Sequence, residues 1–354
     1  MSTPGSGKAP SESATEPPKP RLDKVKSVPF PEKAGKDVFN ASELVPLADG
    51  RFIFCDNNLN TELLELRLDA TGFMVGGLAR HKLHGLPDGA IDDMEGMTLV
   101  EEDGRRTIYV ATSMSLKKGN IKAKKRSERG EEFSPRNALL RIAVGKSEKL
   151  RAEIIPDFKH WLLERSPDVQ KSARRLPDDN GLNVEGLGWD PKLGALLFGV
   201  RTPVIKGRPI ILRVRLKSRN GPWDVSNFEV LAPIRLEIED AGDEQGIRCL
   251  EYDPSRNAHL VVVGNSTSRS KAPFEMYLWD GNEAGRMTKF RHLKFSKSMR
   301  PEGVTHGTID GRGCVVFVDD LGGYLVIFDD DPRLAVESRK APKKKRKTAA
   351  VSCA

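Results

Sequence analysis

No stretch of the 354-residue chain is apolar for long. A membrane span needs about 20 consecutive apolar residues, and no window approaches that, so no membrane contact is expected. Met1 to Arg21 is rich in Ser, Pro, Gly, Lys and Glu and lacks the apolar centre of a secretory leader. The expected location is therefore the cytoplasm. Cysteine is scarce too. Cys55, Cys249, Cys314 and Cys353 lack metal-ligand spacing, and three of them sit in apolar, strand-like patterns where a small reduced thiol is the simple expectation. There is no Ser-centred nucleophile motif, phosphate loop or dinucleotide fingerprint. These absences exclude zinc modules, disulfide scaffolds and the common nucleotide-binding enzymes.

The net charge of +8 suggests nucleic acid, but its distribution does not. Residues 1–36 hold seven Lys/Arg against four acids and residues 338–354 hold seven against none, which leaves the body at −2. A basic insertion, residues 117–136, carries eight Lys/Arg against three acids, so the remainder is more acidic still. That balance favours a site for cations over a groove that tracks phosphates. Residues 1–36 and 335–354 lack hydrophobic periodicity and are expected to be disordered arms. Pro342 to Lys347 resembles a nuclear localisation run and equally reads as a solvated basic tail. Nucleic acid is expected to bind, if at all, through that tail and the basic insertion.

What the body does contain is a repeat. Asn183-Val184-Glu185-Gly186-Leu187 is echoed by Met94-Glu95-Gly96-Met97, by Gln245-Gly246-Ile247 and by Pro301-Glu302-Gly303-Val304, with a weaker copy at Ala41-Ser42-Glu43-Leu44. Each copy opens a short apolar strand, followed by a turn and a second, more hydrophobic strand. Starts at Glu43, Glu95, Glu185, Gln245 and Glu302 lie 52, 90, 60 and 57 residues apart. With four short strands per unit, that period is the mark of a β-propeller. An all-β propeller over 37–334 is expected, with five blades of four antiparallel strands, or six if the long step hides a degenerate one. That step also holds a helical insertion at 157–175. The last unit is one strand short, which predicts ring closure by a segment near Lys24 to Phe30.

In such a ring the start of each first strand and the end of each second strand meet at one mouth. Glu95, Glu185, Gln245 and Glu302 would converge there with Asp56, Asn57, Ser113, Ser115, Arg201, Asn265, Asp319 and Asp320. Converging carboxylates need a cation, a guanidinium or a shared proton. Oxygen-only donors favour calcium or magnesium. The expected metal ligands are Glu95, Glu185, Glu302 and Asp319. The expected catalytic residues are Glu185 and Asn183, with Arg201 and Arg248 clamping an anionic group of the substrate. The alternative is structural: Glu-Gly caps backbone amides or pairs with those arginines, and the mouth binds a small anion or a partner protein without chemistry.

Asn183 to Leu187, Gly199-Val200-Arg201-Thr202-Pro203, Gly246-Ile247-Arg248 and Arg300 to Val304 resemble the bacterial domain-of-unknown-function family DUF3616 over about residues 40–331. The resemblance extends to Asp93 to Gly96, Ser113 to Ser115 with Arg136-Asn137, and Asp319-Asp320. Met114 stands where the family pattern has histidine, so proton transfer is not expected from that position. The family resembles, distantly, the esterase-like phytase and gluconolactonase-type propellers. That likeness implies a channel metal held by a Glu-Gly at a strand start and a metal-assisted hydrolase of an ester, lactone or phosphoester.

Overall fold

Sequence alternation and turn chemistry set the elements. Asp103-Gly104, Lys206-Gly207 and Asp310-Gly311 each place two successive residues at positive φ, the two-residue turn whose twist matches a tight hairpin. This computed structural model describes residues 22–31, 39–117, 134–145, 149–238 and 244–336. The expected arms at 1–21, 32–36 and 337–354 and the basic run 118–133 lie outside those residues. Strand accounts for 51% and helix for 9%, so the chain is all-β.

The strands are β1 (Val28–Pro29), β2 (Ala41–Ala48), β3 (Arg51–Asp56), β4 (Glu62–Arg67), β5 (Ala79–His84), β6 (Met94–Glu102), β7 (Arg105–Thr112), β8 (Leu139–Val144) and β9 (Leu150–Ile155). After two short helices, α1 (Phe158–Glu164) and α2 (Pro167–Gln170), come β10 (Asn183–Asp190), β11 (Ala195–Ile205), β12 (Arg208–Leu216) and β13 (Phe228–Arg235). The chain then forms β14 (Gln245–Asp253), β15 (Ala258–Asn265), β16 (Glu275–Trp279), β17 (Thr288–Lys289), β18 (Pro301–Ile309), β19 (Arg312–Asp319) and β20 (Gly323–Phe328).

Three sheets have four strands, in the orders β10-β11-β12-β13, β14-β15-β16-β17 and β1-β20-β19-β18. The fourth runs β2-β3-β4-β5-β9-β8-β7-β6. It consists of two antiparallel four-stranded units joined by a short parallel pairing of Leu83 with Leu150. Part of the expected N-terminal arm belongs to the fold. Val28 pairs with Tyr324, Ser27 Oγ donates to Asp319 Oδ2 at 2.7 Å, and Val25 is buried. This strand supplies what the last unit lacked.

First strands pack on first strands: β2 on β6, β6 on β10, β10 on β14, β14 on β18, and β18 back on β2. The hydrophobic clusters follow the same circuit. One joins Val45 and Ile53 to Met97 and Val110, and the next joins Tyr109 to Trp189 and Phe198. Others join Leu197 to Val261, Val262 to Phe317, and Val316 to Phe54, which returns to the start. Because each first strand faces neighbours on both sides, β10 is buried at all eight positions. Helix α1 lies on the second of these clusters, with Phe158 5.5 Å from Phe198 and 5.7 Å from Phe228. Cys55, Cys249 and Cys314 are buried free thiols. No helix among the described residues is long and apolar enough to cross a membrane.

On β4, Glu65 receives Arg51 Nε and Arg67 Nε at 2.7 Å each and faces His81 Nε2 at 2.6 Å. Burial alone would raise its pKa, but the hydrogen bonds from these three residues outweigh it and hold the group at about 2. A depressed carboxyl adds stability above its unfolded pKa and loses it as pH falls through the folded value. Stability should therefore drop between about pH 4.5 and 2, and Glu65→Gln should flatten that limb in melts taken across the range. A native acid limb equal to that of the variant would contradict the assignment.

Candidate functional site

The ends of the first strands are irregular in the same way. In β6 the pairing skips from Met94 to Gly96, in β10 from Val184 to Gly186, in β14 from Ile247 to Cys249, and in β18 from Pro301 to Gly303. In β2 it skips from Ala41 to Leu44. Such a bulge re-aims the extra residue. The extra residues are Glu95, Glu185, Arg248 and Glu302; in β2, where Ser42 and Glu43 together oppose Cys55, Ser42 holds the corresponding position and Glu43 follows it. The residue after each is Gly96, Gly186, Cys249 and Gly303, and the glycines are required by close approach. A Cβ on Gly96 would lie 2.8 Å from Leu187 N, and one on Gly303 would lie 2.6 Å from Ser42 O.

This pairing corrects the repeat alignment. Gln245, read as the counterpart of Glu185, is an ordinary ladder residue opposite Asn265, and its amide donates to Pro273 O at 3.0 Å. Arg248 holds the equivalent position. Counting two residues back from the apolar positions Leu44, Met97, Leu187, Leu250 and Val304 gives Ser42, Glu95, Glu185, Arg248 and Glu302. Aligning on the apolar residue rather than on the acid or amide finds the arginine.

At the ring end the carboxylates are matched by guanidiniums. Arg201 is also an extra residue, because the pairing of β10 with β11 steps from Thr202 to Val200. Its Nη1 donates to Glu185 Oε1 at 2.6 Å, and its Nε donates to Ser266 O at 2.9 Å. Arg248 Nε lies 2.9 Å from Glu185 Oε2, and its Nη2 is paired with Glu302. Asn183 Nδ2 donates to Glu185 Oε1 at 2.9 Å. Arg248 bridges two carboxylates while almost wholly buried; burial lowers its pKa, and the charge of Glu185 opposes that. Burial pulls Arg201 the same way, but Glu185 outweighs it and the pKa is raised.

Glu95 differs. Its hydrogen bonds come from neutral groups, Ser42 Oγ at 3.1 Å and Asn57 Nδ2 at 3.2 Å. Burial, then the charges of Asp93 and Glu185, push its pKa well above the usual range, against the more distant pull of Arg248 and Arg201. Burial also raises Asp93, which pairs with Arg136 Nη1 at 2.7 Å. Arg136 Nε reaches Asp92 at 3.0 Å, and Lys117 reaches the same carboxylate at 2.9 Å. Asp93 and Met114 both have positive φ, uncommon for such residues and frequent beside functional groups.

Glu95, Glu185, Glu302, Asn183, Arg201 and Arg248 are thus brought together. Asp319 is not among them. Fully buried, it accepts from Ser27 Oγ and from the backbone N–H groups of Arg300 and Leu321, at 3.2 and 3.0 Å for the latter two, so its carboxylate fastens the closing strand. Among the described residues no three His, Cys, Asp or Glu side chains are grouped to hold a metal ion. The expected calcium or magnesium donors fit poorly, because both oxygens of Glu185 face guanidinium nitrogens and Glu302 faces another. A cleft of about 360 Å³ lined by Glu102, Tyr109, Arg141, Glu153 and Arg219 lies at the other end of β6, where surface pairs such as Arg141–Glu153 at 2.6 Å balance its charge.

No curated protein matches the chain. Among solved structures, α-L-arabinofuranosidase from Lactobacillus brevis aligns at 13% identity and TM-score 0.42, over 82% of this chain and 91% of that one. A GH32 β-fructofuranosidase from Bombyx mori aligns at 10% identity and TM-score 0.41, over 82% and 60%. A protein from Lactobacillus plantarum aligns at 11% and 0.33, over 76% and 61%; this chain spans less than two thirds of the last two. Residues 82–329, carrying Glu95, Glu185, Arg201, Arg248 and Glu302, match the family described as Protein of unknown function (DUF3616), and the chain belongs to that family.

Proposed function

We propose that the five four-stranded units are the blades of a β-propeller and that the ring end of the first strands is an acid–base hydrolytic site for an ester, lactone or phosphoester. The closed circuit of first strands supports the fold reading. The chemical reading is carried by one contrast: Glu95 is buried among neutral donors, while Glu185 and Glu302 are held against guanidiniums. Neighbouring carboxyls with different environments take different roles. Glu95, poised to exchange a proton, takes one from water as the water oxygen adds to the acyl or phosphoryl centre. It then returns that proton to the departing oxygen. Arg201, with 18% of its side chain exposed against 4% for Arg248, faces the negative charge that develops. Glu185, Glu302 and Asn183 fix the guanidiniums and are positioning residues.

Glu95→Gln should abolish turnover of whichever ester, lactone or phosphoester the native chain hydrolyses, by about 10²–10⁴-fold, without lowering the melting temperature. Because burial raises the Glu95 pKa, native activity should rise with pH as the base form appears. A variant that retains activity with an unchanged pH profile would rule Glu95 out. A second reading, a non-catalytic propeller binding a small ligand or partner protein, is favoured by the protein partners that Glu185, Glu302 and Glu95 already have. Under it, the same substitution lowers stability and no hydrolysis is found in either protein.

A further inference from the structure

The cleft of about 360 Å³ at the end of β6 away from the ring end is walled by two neighbouring four-stranded units. Its floor comes from the β7–β8–β9 ladder, where Tyr109 pairs with Arg141 and Arg141 with Glu153, so the three side chains lie in a row on one face. In the next row Thr107 pairs with Ala143, and these small residues leave the hollow. The far wall is the loop between β12 and β13, latched at two points. Arg105 Nη1 donates to Asn220 Oδ1 at 2.6 Å, and Trp223 Nε1 donates to Glu153 O at 3.1 Å.

Three atoms in the Tyr109 row are unused. Tyr109 is 3% exposed, its ring lies against Trp189 and Trp223, and its hydroxyl has no hydrogen-bond partner among the described residues. Arg141 gives Nε and Nη2 to one oxygen, Glu153 Oε2, at 2.9 and 2.6 Å, and its guanidinium is held over Trp223 at 4.9 Å. That leaves Arg141 Nη1 as a donor and Glu153 Oε1 as an acceptor, neither with a hydrogen-bond partner among the described residues. A neutral donor, a cationic donor and an anionic acceptor therefore follow one another along the row. A carboxylate accepts most strongly from a guanidinium, and an ammonium donates most strongly to a carboxylate. The row thus matches a molecule that carries both groups on neighbouring atoms. The whole lining agrees: Arg105, Arg141 and Arg219 are balanced by Glu102, Asp103 and Glu153. A lone ion of either sign meets repulsion as well as attraction there, whereas a zwitterion can orient its two charges.

We propose that this cleft binds a free amino acid, with its carboxylate on Tyr109 Oη and Arg141 Nη1 and its ammonium on Glu153 Oε1. The volume is in the range of small-molecule sites, and the ligand's side chain extends over Thr107 and Ala143 toward Arg105 and Asn220. The cleft lies away from the ring end, so the inference does not depend on the hydrolytic reading.

The test is calorimetry on the full chain with glycine, L-alanine, L-leucine, L-glutamate and L-arginine. Propionate, which lacks the ammonium, and L-alaninamide, which lacks the carboxylate, are the controls. The expected result is saturable binding of at least one amino acid and of neither control. Tyr109→Phe removes an atom that the free protein does not use. It should weaken binding about tenfold or more while leaving the melting temperature of the free protein unchanged. Glu153→Gln acts on a side chain 54% exposed and keeps the backbone carbonyl that Trp223 uses. It should weaken binding comparably, because the ammonium loses its counter-charge, and it serves as the second variant if the phenylalanine protein folds poorly. No binding of any amino acid, equal affinity for propionate or L-alaninamide, or unchanged affinity in either variant would overturn the proposal.

Discussion

Glu43→Ala is expected to cost roughly 3–5 kcal/mol of stability, more than any substitution on the outer strands. Three of the residues that follow the ring-end bulges are glycines and a fourth is Cys249. In β2 that position is Glu43, whose side chain enters the space the small residues leave. It is 0% exposed. Its Oε1 accepts from Val304 N at 2.8 Å and from Leu44 N at 3.4 Å, and its Oε2 accepts from Leu250 N at 3.2 Å. One side chain from β2 thus ties β14 and β18 together. Alanine would leave a cavity and orphan these N–H groups at once. Burial pushes the Glu43 pKa well above the ordinary value, with the backbone hydrogen bonds opposing it. The same cause acts on buried Glu251, which the Glu43 charge raises further.

A carboxyl raised on folding contributes stability that is fully present below its unfolded pKa and is lost as pH rises toward the folded one. From about pH 4.5 upward, the unfolded chain ionises Glu43 while the folded chain resists. Urea unfolding at a series of pH values should therefore show the native protein losing ground steadily to Glu43→Gln, which has no proton to lose. A loss below 1 kcal/mol for Glu43→Ala would show that the ring does not depend on this tie.

Much of the fold can be read from the chain because burial imposes a pattern. Apolar residues at Leu44, Met97, Leu187, Leu250 and Val304 must face the neighbouring first strand, and the glycines before three of them are forced by backbone approach, so both recur visibly. Turns such as Asp103-Gly104 are dictated by φ. The site is less legible, since it is built on bulges and a bulge breaks the count. Gln245 looked like the amide counterpart of the acid in the fourth copy, yet the extra residue falls at Arg248. This puts a cation where a neutral amide was expected, and so the converging acids that suggested calcium or magnesium receive guanidiniums instead. Asp319, acidic and at the end of a second strand, looked like a ligand, but the residue that claims it, Ser27 at the start of the closing strand, lies 292 residues away in the chain. Glu43 was visible as a weak copy of the motif. Its inward side chain follows only once Ser42 is seen to occupy the position that Glu95 and Glu185 occupy elsewhere.

Arg248→Met is expected to destabilise the protein by about 3–5 kcal/mol, because removing one partner of a buried ion pair strands the other. Here two carboxylates lose a partner and one of them is stranded. Arg248 is 3% exposed, Glu185 3% and Glu302 6%, so water cannot replace the guanidinium. Glu185 retains Arg201 and Asn183, whereas Glu302 loses the contact that neutralises it. Adding Glu302→Gln should consequently recover a large part of the deficit, and adding Glu185→Gln should recover less. The pH dependence is fixed by the same reasoning. A carboxyl that has lost its cation but stays buried has a raised folded pKa, so the deficit of Arg248→Met should shrink as pH falls from 8 to 5 and widen as it rises. Chemical denaturation of the single and double variants at both pH values decides this. A deficit under 1 kcal/mol, or one indifferent to both pH and Glu302→Gln, would mean that the ring-end charges are solvated rather than buried, and the contrast that gives Glu95 its proposed role would go with it.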